Sequence, residues 1–332
     1  MYQHTKLSNN SFSFFQKLRN FDYVLLACIL LLGFISLTTM YSTDGGSILF
    51  HTKSHFVKLL IFTFMMLIFS FINIKFWFSI GYLFYLGVIS LLIWTYFFGI
   101  KSSGSQRWMD LYFINLQPSE LMKICIILCL AKYFHRMKLE NVNSIYTILT
   151  SLIIILLPMG LVIVQPDLGT SLLIGISGIA VIWFAGINHK YFIYTIFGFL
   201  ISLPFIVSFL KPYQKLRVLT FLNPDRDPLG AGYQIIQSKI AVGSGGIFGK
   251  GYLKGTQSYL EFLPEKHTDF IFTLFSEEFG FIGSATLLII YAIIIYRIIS
   301  IGISSRSYFA KIFCYSFGAA IFVYITINMS MV

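Results

Sequence analysis

Residues 263–272 read LPEKHTDFIF, which sets several ionisable side chains directly before a run of phenylalanine and isoleucine. Glu265, His267 and Asp269 alternate along this stretch and gather where the apolar run begins. Carboxylates and imidazoles held against apolar helices have shifted proton affinities, which suits them to acid–base chemistry. The spacing therefore indicates an acid–base site, while a second interpretation is that Asp269 stabilises the start of the following helix.

A second polar group occurs in the stretch QPSELMK. Pro118 suits the first turn of a helix and Glu120 favours its positive end, while Lys123 lies three residues on, over the same face. An ammonium one turn inside an apolar span is costly unless it faces a partner or a wet cavity. We therefore expect Glu120 and Lys123 to pair, and we also treat both as candidates for substrate binding.

Two further candidates lie at predicted helix ends. Asp167, in QPDLGTS, fits either the cap of the following helix or a functional carboxylate. Arg107 and Trp108 form an interfacial pair by default, since Trp favours the depth of lipid headgroups and Arg binds phosphate.

A glycine-rich stretch at residues 243–251, GSGGIFGKG, resembles a nucleotide-binding phosphate loop only superficially. The spacing fails because Ser244 stands where the first glycine is required and Gly251 where a serine or threonine is required. Two interpretations remain, a backbone that approaches a ligand closely and a merely mobile loop. Lys250 and Lys254 are candidates to meet anionic oxygens in the first case.

The segment 211–268 is too long for a simple connector, which favours a functional role. Within it, four apolar residues recur at helical spacing, namely Leu229, Tyr233, Ile236 and Ile240. Lys239 does not lie on the face that they form. This pattern predicts a short helix in the membrane interface, acting either as a covering flap or as a substrate contact.

Composition identifies the class of protein that must position these residues. Of the 332 residues, 57% are hydrophobic and 11% are charged, and the mean hydropathy is +0.80, which indicates a membrane protein. The apolar runs are continuous and lack the alternation of an outer-membrane barrel, so we predict an all-α polytopic bundle. About nine spans are expected, near residues 22–41, 56–74, 77–100, 118–134, 144–164, 168–187, 191–210, 270–299 and 308–332.

The basic residues of the short loops predict the orientation of the bundle. Three lie on one side, Lys53, Lys101 and Arg107. The side shared with the N-terminus carries Lys6, Lys17, Arg19, Lys75, Lys132, Arg136, Lys138, Lys190, Arg297, Arg306 and Lys311. The N-terminus is therefore expected in the cytoplasm, with 211–268 as a large extracytoplasmic loop of a single transmembrane domain. The net charge of +11 is explained by this topology and requires no nucleic-acid partner.

Three motif regions together resemble the SEDS family (shape, elongation, division and sporulation). They are QRWMDL with QPSELMK, then QPDLGTS, then NPDRDPLGAGYQIIQSKIAVGSGGIFGKGYLKGTQSYLEFLPEKHTDFIF. The lead-in GTQSYLEFLPE is more similar to the rod-shape branch of the family than to the division branch. The resemblance covers nearly the whole chain, and its last stretch is highly specific.

The resemblance implies a peptidoglycan glycosyltransferase that polymerises lipid II at the outer face of the bacterial cytoplasmic membrane. It implies ten helices and a class B penicillin-binding protein as the partner that performs transpeptidation. The aspartate of HTDF, here Asp269, corresponds to the essential residue of the family. The polar helix pair of the family corresponds to Glu120 and Lys123, its RW pair to Arg107 and Trp108, and its QPDLG aspartate to Asp167.

The chain departs from the family pattern in three places. Lys266 stands where members commonly have arginine, and Tyr252 where many have tryptophan; both changes are mild. The sequence stops at Val332, before the tenth span that the family pattern contains. We therefore expect a truncated form with nine spans in place of ten.

The chemistry implied by the resemblance needs few groups. A lipid pyrophosphate is a good leaving group, so one base on the 4-hydroxyl of the acceptor sugar suffices, with cations to neutralise the departing charge. We assign the base to Asp269, with Glu265 and His267 as candidate substrate contacts beside it. The candidate phosphate contacts are Arg107, Lys239, Lys250 and Lys254. A divalent cation at the pyrophosphate stays open, because the sequence shows no dedicated ligand cage.

Two rival functions fit the same composition. A flippase for the lipid-linked precursor needs a polar path near the midplane, often between broken helices, of which the sequence shows little. A scaffold that only recruits the transpeptidase would leave Asp269 dispensable.

Overall fold

The described residues form long helices and one small sheet. The computed structural model describes residues 14–102, 105–110, 115–209, 215–216, 219–220, 223–226, 231–255 and 268–330. Within these ranges the helices are α1 Phe14–Arg19, α2 Tyr23–Thr43, α3 Phe50–Phe71, α4 Ile74–Phe98, α5 Pro118–Arg136, α6 Ile145–Val164, α7 Leu168–Phe184, α8 His189–Phe209, α9 Ala231–Ser244, α10 Ile271–Ser304 and α11 Tyr308–Ser330. Single 3₁₀ turns occur at Leu139–Asn141 and Pro224–Arg226.

Each of the nine predicted apolar runs coincides with one of the helices α2 to α8, α10 and α11. In the part of the chain that the structure describes, six helices are long and apolar enough to cross a membrane, namely α2, α3, α4, α6, α10 and α11. The all-α polytopic fold is therefore confirmed, and the protein is a multi-pass membrane protein. The total of nine spans stays a prediction.

Polar residues in the connections set where the helices begin. The carboxylate of Asp22 accepts a hydrogen bond from the backbone N–H of Leu25 at 3.0 Å, at the start of α2. The side chain of Asn73 accepts one from Lys75 N at 3.0 Å, at the start of α4. Both satisfy amide groups that the first turn of a helix leaves without an internal partner.

The chain divides into two compact units. The first contains Met1–Arg19, Ile72–Tyr194 and Ile295–Tyr324. Its central helix is α5, which packs against α4, α6 and α7 and has a fully buried row formed by Met122, Cys125, Ile126, Cys129 and Leu130. The apolar run predicted at residues 118–134 is short and contains Lys123. Burial explains both features, because a helix surrounded by protein need not match the lipid in length or polarity.

A small antiparallel sheet interrupts the helices of this unit. Its strands are β1 Ile100–Ser102, β2 Ser105–Asp110 and β3 Asn115–Leu116, in the order β1-β2-β3. Ile100 pairs with Trp108, and Met109 with Leu116. This sheet was missed by the all-helical prediction; strands are allowed here because a connection between spans can lie outside the hydrocarbon.

The second unit contains Asn20–Phe71, Thr195–Ile294 and Ile325–Val332. Its longest helix, α10, is broken at Gly280, whose φ of 65° and ψ of −162° are not helical. The part beyond the break, residues 281–304, extends about 36 Å at 1.5 Å per residue, which exceeds a hydrocarbon thickness of about 30 Å. The nine residues before the break therefore extend α10 beyond the length that a crossing requires.

Candidate active site and its supporting groups

Arg107 and Asp167 form an ion pair in the first unit. Nη1 of Arg107 on β2 lies 2.9 Å from Oδ2 of Asp167, whose side chain is 8% exposed. Asp167 also accepts hydrogen bonds from Thr170 N at 3.2 Å, from Thr170 Oγ1 at 2.9 Å and from Gln117 Nε2 at 3.3 Å. The carboxylate is thus the cap of α7, one of the two roles that the sequence left open, and it also ties β2 and the residue before α5 to that helix.

Glu120 and Lys123 pair as their spacing predicted. Nζ of Lys123 lies 2.8 Å from Oε2 of Glu120, one turn earlier on α5. The ammonium also lies 4.5 Å from the centroid of the Tyr324 ring, a cation–π contact that the sequence did not indicate. Lys123 is therefore satisfied inside the bundle, while Glu120 keeps half of its side chain exposed.

Asp269 lies in the turn 268–270, directly before α10, and its side chain is exposed. A catalytic base must be reachable by the hydroxyl that it deprotonates, and this position meets that requirement. Lys239 on α9 and Lys254 are exposed as well. Glu265 and His267 lie outside the described residues.

Two buried acids on α10 were missed by the sequence analysis. Glu277 and Glu278 are 0% and 1% exposed. Nζ of Lys250 lies 2.6 Å from Oε1 of Glu277, and the hydroxyl of Ser42 on α2 donates a hydrogen bond to the Glu278 carboxylate. The signal was present, because adjacent acids inside an apolar run are expensive and need partners.

The glycine-rich stretch lies against the same part of α10. The backbone N–H groups of Lys250 and Gly251 donate to the carbonyls of Glu277 and Glu278 at 3.0 and 3.1 Å. The N–H groups of Phe281 and Ile282 donate to the carbonyls of residues 246 and 247 at 2.9 and 3.2 Å. We call residues 246–251 the inserted loop, because its backbone occupies the break in α10.

The helix α9 is present where the sequence predicted it and is attached to α10. The hydroxyls of Ser238 and Thr273 are 2.6 Å apart and buried. Ile240, from the predicted apolar face, is 49% exposed, whereas Ala241 is fully buried. Ser238 and Ala241 thus face the protein, whereas Tyr233 and Ile236 are half-buried and Ile240 is exposed.

A family model of cell cycle proteins, named for FtsW, RodA and SpoVE, matches residues 18–332. The chain belongs to this family. The match spans all three motif regions that carried the resemblance in the sequence, which the structure places on β2 and α5, at the start of α7, and from Pro224 to the first turn of α10.

Individual members of this FtsW–RodA–SpoVE family support the same assignment. The peptidoglycan glycosyltransferase MrdB of Escherichia coli (strain K12) is 42% identical over 253 residues, which cover 75% of this chain and 67% of the relative. A probable peptidoglycan glycosyltransferase FtsW of Buchnera aphidicola (subsp. Baizongia pistaciae) is 34% identical over 319 residues, which cover 93% of this chain and 83% of the relative.

A solved structure shares the fold. A chain from a peptidoglycan synthase complex that coordinates polymerisation and cross-linking superposes with a TM-score of 0.80. The two chains are 23% identical, and the match covers 94% of this chain and 87% of the other. The helical fold described above is therefore shared with this solved chain.

Proposed function

We propose that this chain is a peptidoglycan glycosyltransferase that polymerises lipid II at the outer face of the bacterial cytoplasmic membrane. The observation that carries the proposal is an exposed carboxylate, Asp269, in the motif position of a family whose relatives are named for this activity. Its place in a turn before a membrane-spanning helix suits chemistry on a lipid-linked sugar.

The proposed reaction is a single inverting displacement. The Asp269 carboxylate accepts the proton of the 4-hydroxyl on the lipid II acceptor as that oxygen attacks the anomeric carbon of the lipid-linked glycan. The new glycosidic bond forms while the bond from the anomeric carbon to the pyrophosphate oxygen breaks. The electron pair leaves with the lipid pyrophosphate, and the glycan is one disaccharide longer.

Cationic side chains would stabilise the departing pyrophosphate. Lys239 and Lys254, both in the second unit, are exposed and suited to this role. A divalent cation carried by the pyrophosphate is compatible with these steps. The steps do not depend on one, and among the residues that the structure describes there is no group of three or more His, Cys, Asp or Glu side chains.

The proposal includes a location and a partner. The N-terminus lies in the cytoplasm, supported by the excess of Lys and Arg in the loops of that side. A class B penicillin-binding protein would cross-link the strands, and the similarity to a chain of a peptidoglycan synthase complex supports such an assembly.

The deciding experiment is polymerisation of purified lipid II by the protein in liposomes, with glycan strands resolved on a gel. Asp269→Asn is expected to lower the initial rate by about 10²- to 10⁴-fold, the usual contribution of a general base. Glu140→Gln, an exposed acid on a 3₁₀ turn, is the control and should polymerise at the normal rate.

Other results would point elsewhere. Undiminished strands from the Asn variant would eliminate the proposed base and favour a scaffold. Transfer of labelled lipid II across the liposome membrane, independent of Asp269, would favour a flippase.

A further inference from the structure

The break in α10 is filled by hydrogen bonds from another segment. In an unbroken helix, the N–H groups of Phe281 and Ile282 would donate to the carbonyls of Glu277 and Glu278, four residues earlier. Here those carbonyls accept from Lys250 and Gly251, and the two freed N–H groups donate to the carbonyls of residues 246 and 247. The inserted loop thus replaces two helical hydrogen bonds by four bonds of its own.

The side chains reinforce the same junction. Lys250 binds Glu277 twice, through its backbone N–H to the carbonyl at 3.0 Å and through its ammonium to the carboxylate at 2.6 Å. The neighbouring Glu278 carboxylate accepts a hydrogen bond from the Ser42 hydroxyl on α2. Since Glu277 is fully buried, its pairing with the Lys250 ammonium offsets part of the cost of burying its charge.

The junction lies two turns from the proposed base. Asp269 is in the turn that leads into residues 271–279, the short helical part before Gly280. A glycine at a helix break does not by itself fix the angle between the two helical parts, so other contacts must fix it. The inserted loop supplies those contacts at residues 277, 278, 281 and 282.

We propose that Lys250 and Glu277 are positioning residues for glycosyl transfer. Their buried ion pair locks the inserted loop into α10 and thereby fixes the direction of the helical part that carries Asp269. This inference rests on the proposed function. It removes Lys250 from the candidate phosphate contacts. Lys254, which is exposed, stays a candidate.

The test compares steady-state kinetics on lipid II for Glu277→Gln, Lys250→Met, the double variant and Lys250→Arg. Lost positioning lowers kcat by about 100-fold with KM nearly unchanged, the scale of a misplaced catalytic group. In the double variant the losses of the two single variants should not multiply, because each single variant already breaks the pair. Lys250→Arg should retain the pair and most of the activity.

A direct phosphate contact gives a different pattern. It would raise KM in Lys250→Met, leave Glu277→Gln near normal, and make the losses of the two single variants multiply in the double variant. Lys254→Met is the matched comparison for that behaviour. Either a normal kcat in Glu277→Gln or multiplying losses would overturn the positioning role.

Hydrogen exchange gives a readout that is independent of activity. The amides of residues 250, 251, 281 and 282 should be protected in the intact protein and exchange faster in Glu277→Gln, with the amides of other helices unchanged. Glu277→Gln keeps the side-chain shape, and its partner Lys250 is 28% exposed and can be hydrated, so this variant should fold even if Lys250→Met does not. Unchanged exchange at these four amides would refute the claim that the ion pair holds the inserted loop in α10. Full polymerisation by Asp269→Asn would refute the proposed function but would not affect that claim.

Discussion

The carboxylates of this protein have different roles according to their exposure. Asp269 is exposed, whereas Asp167, Glu277 and Glu278 are buried and bind other side chains or backbone groups of the protein. A buried carboxylate that is bound by neighbouring groups stabilises one arrangement of the chain and is not placed to meet a substrate hydroxyl. Exposure therefore separates the candidate base from the acids that hold its surroundings.

Asp167 has two functions that substitutions can separate. Asp167→Asn keeps an oxygen for the cap of α7 but removes the charge that pairs with Arg107. Asp167→Ala removes both and should lower the free energy of unfolding by about 1 kcal/mol more than the Asn variant, the usual value of a cap. Thermal unfolding of the two variants in detergent measures this difference, and equal stabilities would contradict the cap.

The spacing of the sequence predicted local pairs and missed distant ones. Glu120 and Lys123 are three residues apart on one helix, so their ion pair followed from helical geometry. Arg107 and Asp167 were each singled out, but nothing in the sequence joined them, because their contact depends on how β2 meets α7. The partner of Lys250 was missed for the same reason, since Glu277 lies 27 residues away.

At the scale of elements, continuous apolar runs located the long helices among the described residues because a membrane span must be both long and apolar. The same runs could not reveal the break in α10. A glycine in an apolar helix is common in membrane proteins, and the break depends on which backbone approaches it. The glycine-rich stretch raised the question of close approach, and the structure shows that it approaches α10.

The inserted loop should be sensitive to a single methyl group. A Cβ at Gly249, whose φ is 82°, would lie 2.0 Å from the carbonyl oxygen of Glu278, so Gly249→Ala must displace the loop backbone. We expect faster hydrogen exchange at residues 250 and 251 and easier proteolysis between residues 245 and 251. Gly243→Ala is the control, because a Cβ there meets nothing within 4 Å and alanine favours the helix; similar behaviour of both variants would contradict the insertion.

At the scale of the whole molecule, the proposed orientation determines which face carries the chemistry. Asn188, before α8, should lie in the cytoplasm, and Asp225, in the segment between α8 and α9, should lie outside. In intact cells, a membrane-impermeant maleimide should therefore label Asp225→Cys and leave Asn188→Cys unlabelled until the cells are opened. The reverse pattern would place the proposed base on the wrong side of the membrane for a glycan exported from the cell.

The broken helix also constrains how this molecule can change over evolution. The carbonyls of Glu277 and Glu278 have two alternative sets of donors, one in the inserted loop and one further along their own helix. A deletion that withdrew residues 246–251 would leave the second set, so α10 would straighten through Gly280. The chain before residue 271 would then leave the bilayer in another direction. A change in the length of the inserted loop would therefore change the position of Asp269, so we expect the loop length and the position of Asp269 to be conserved together.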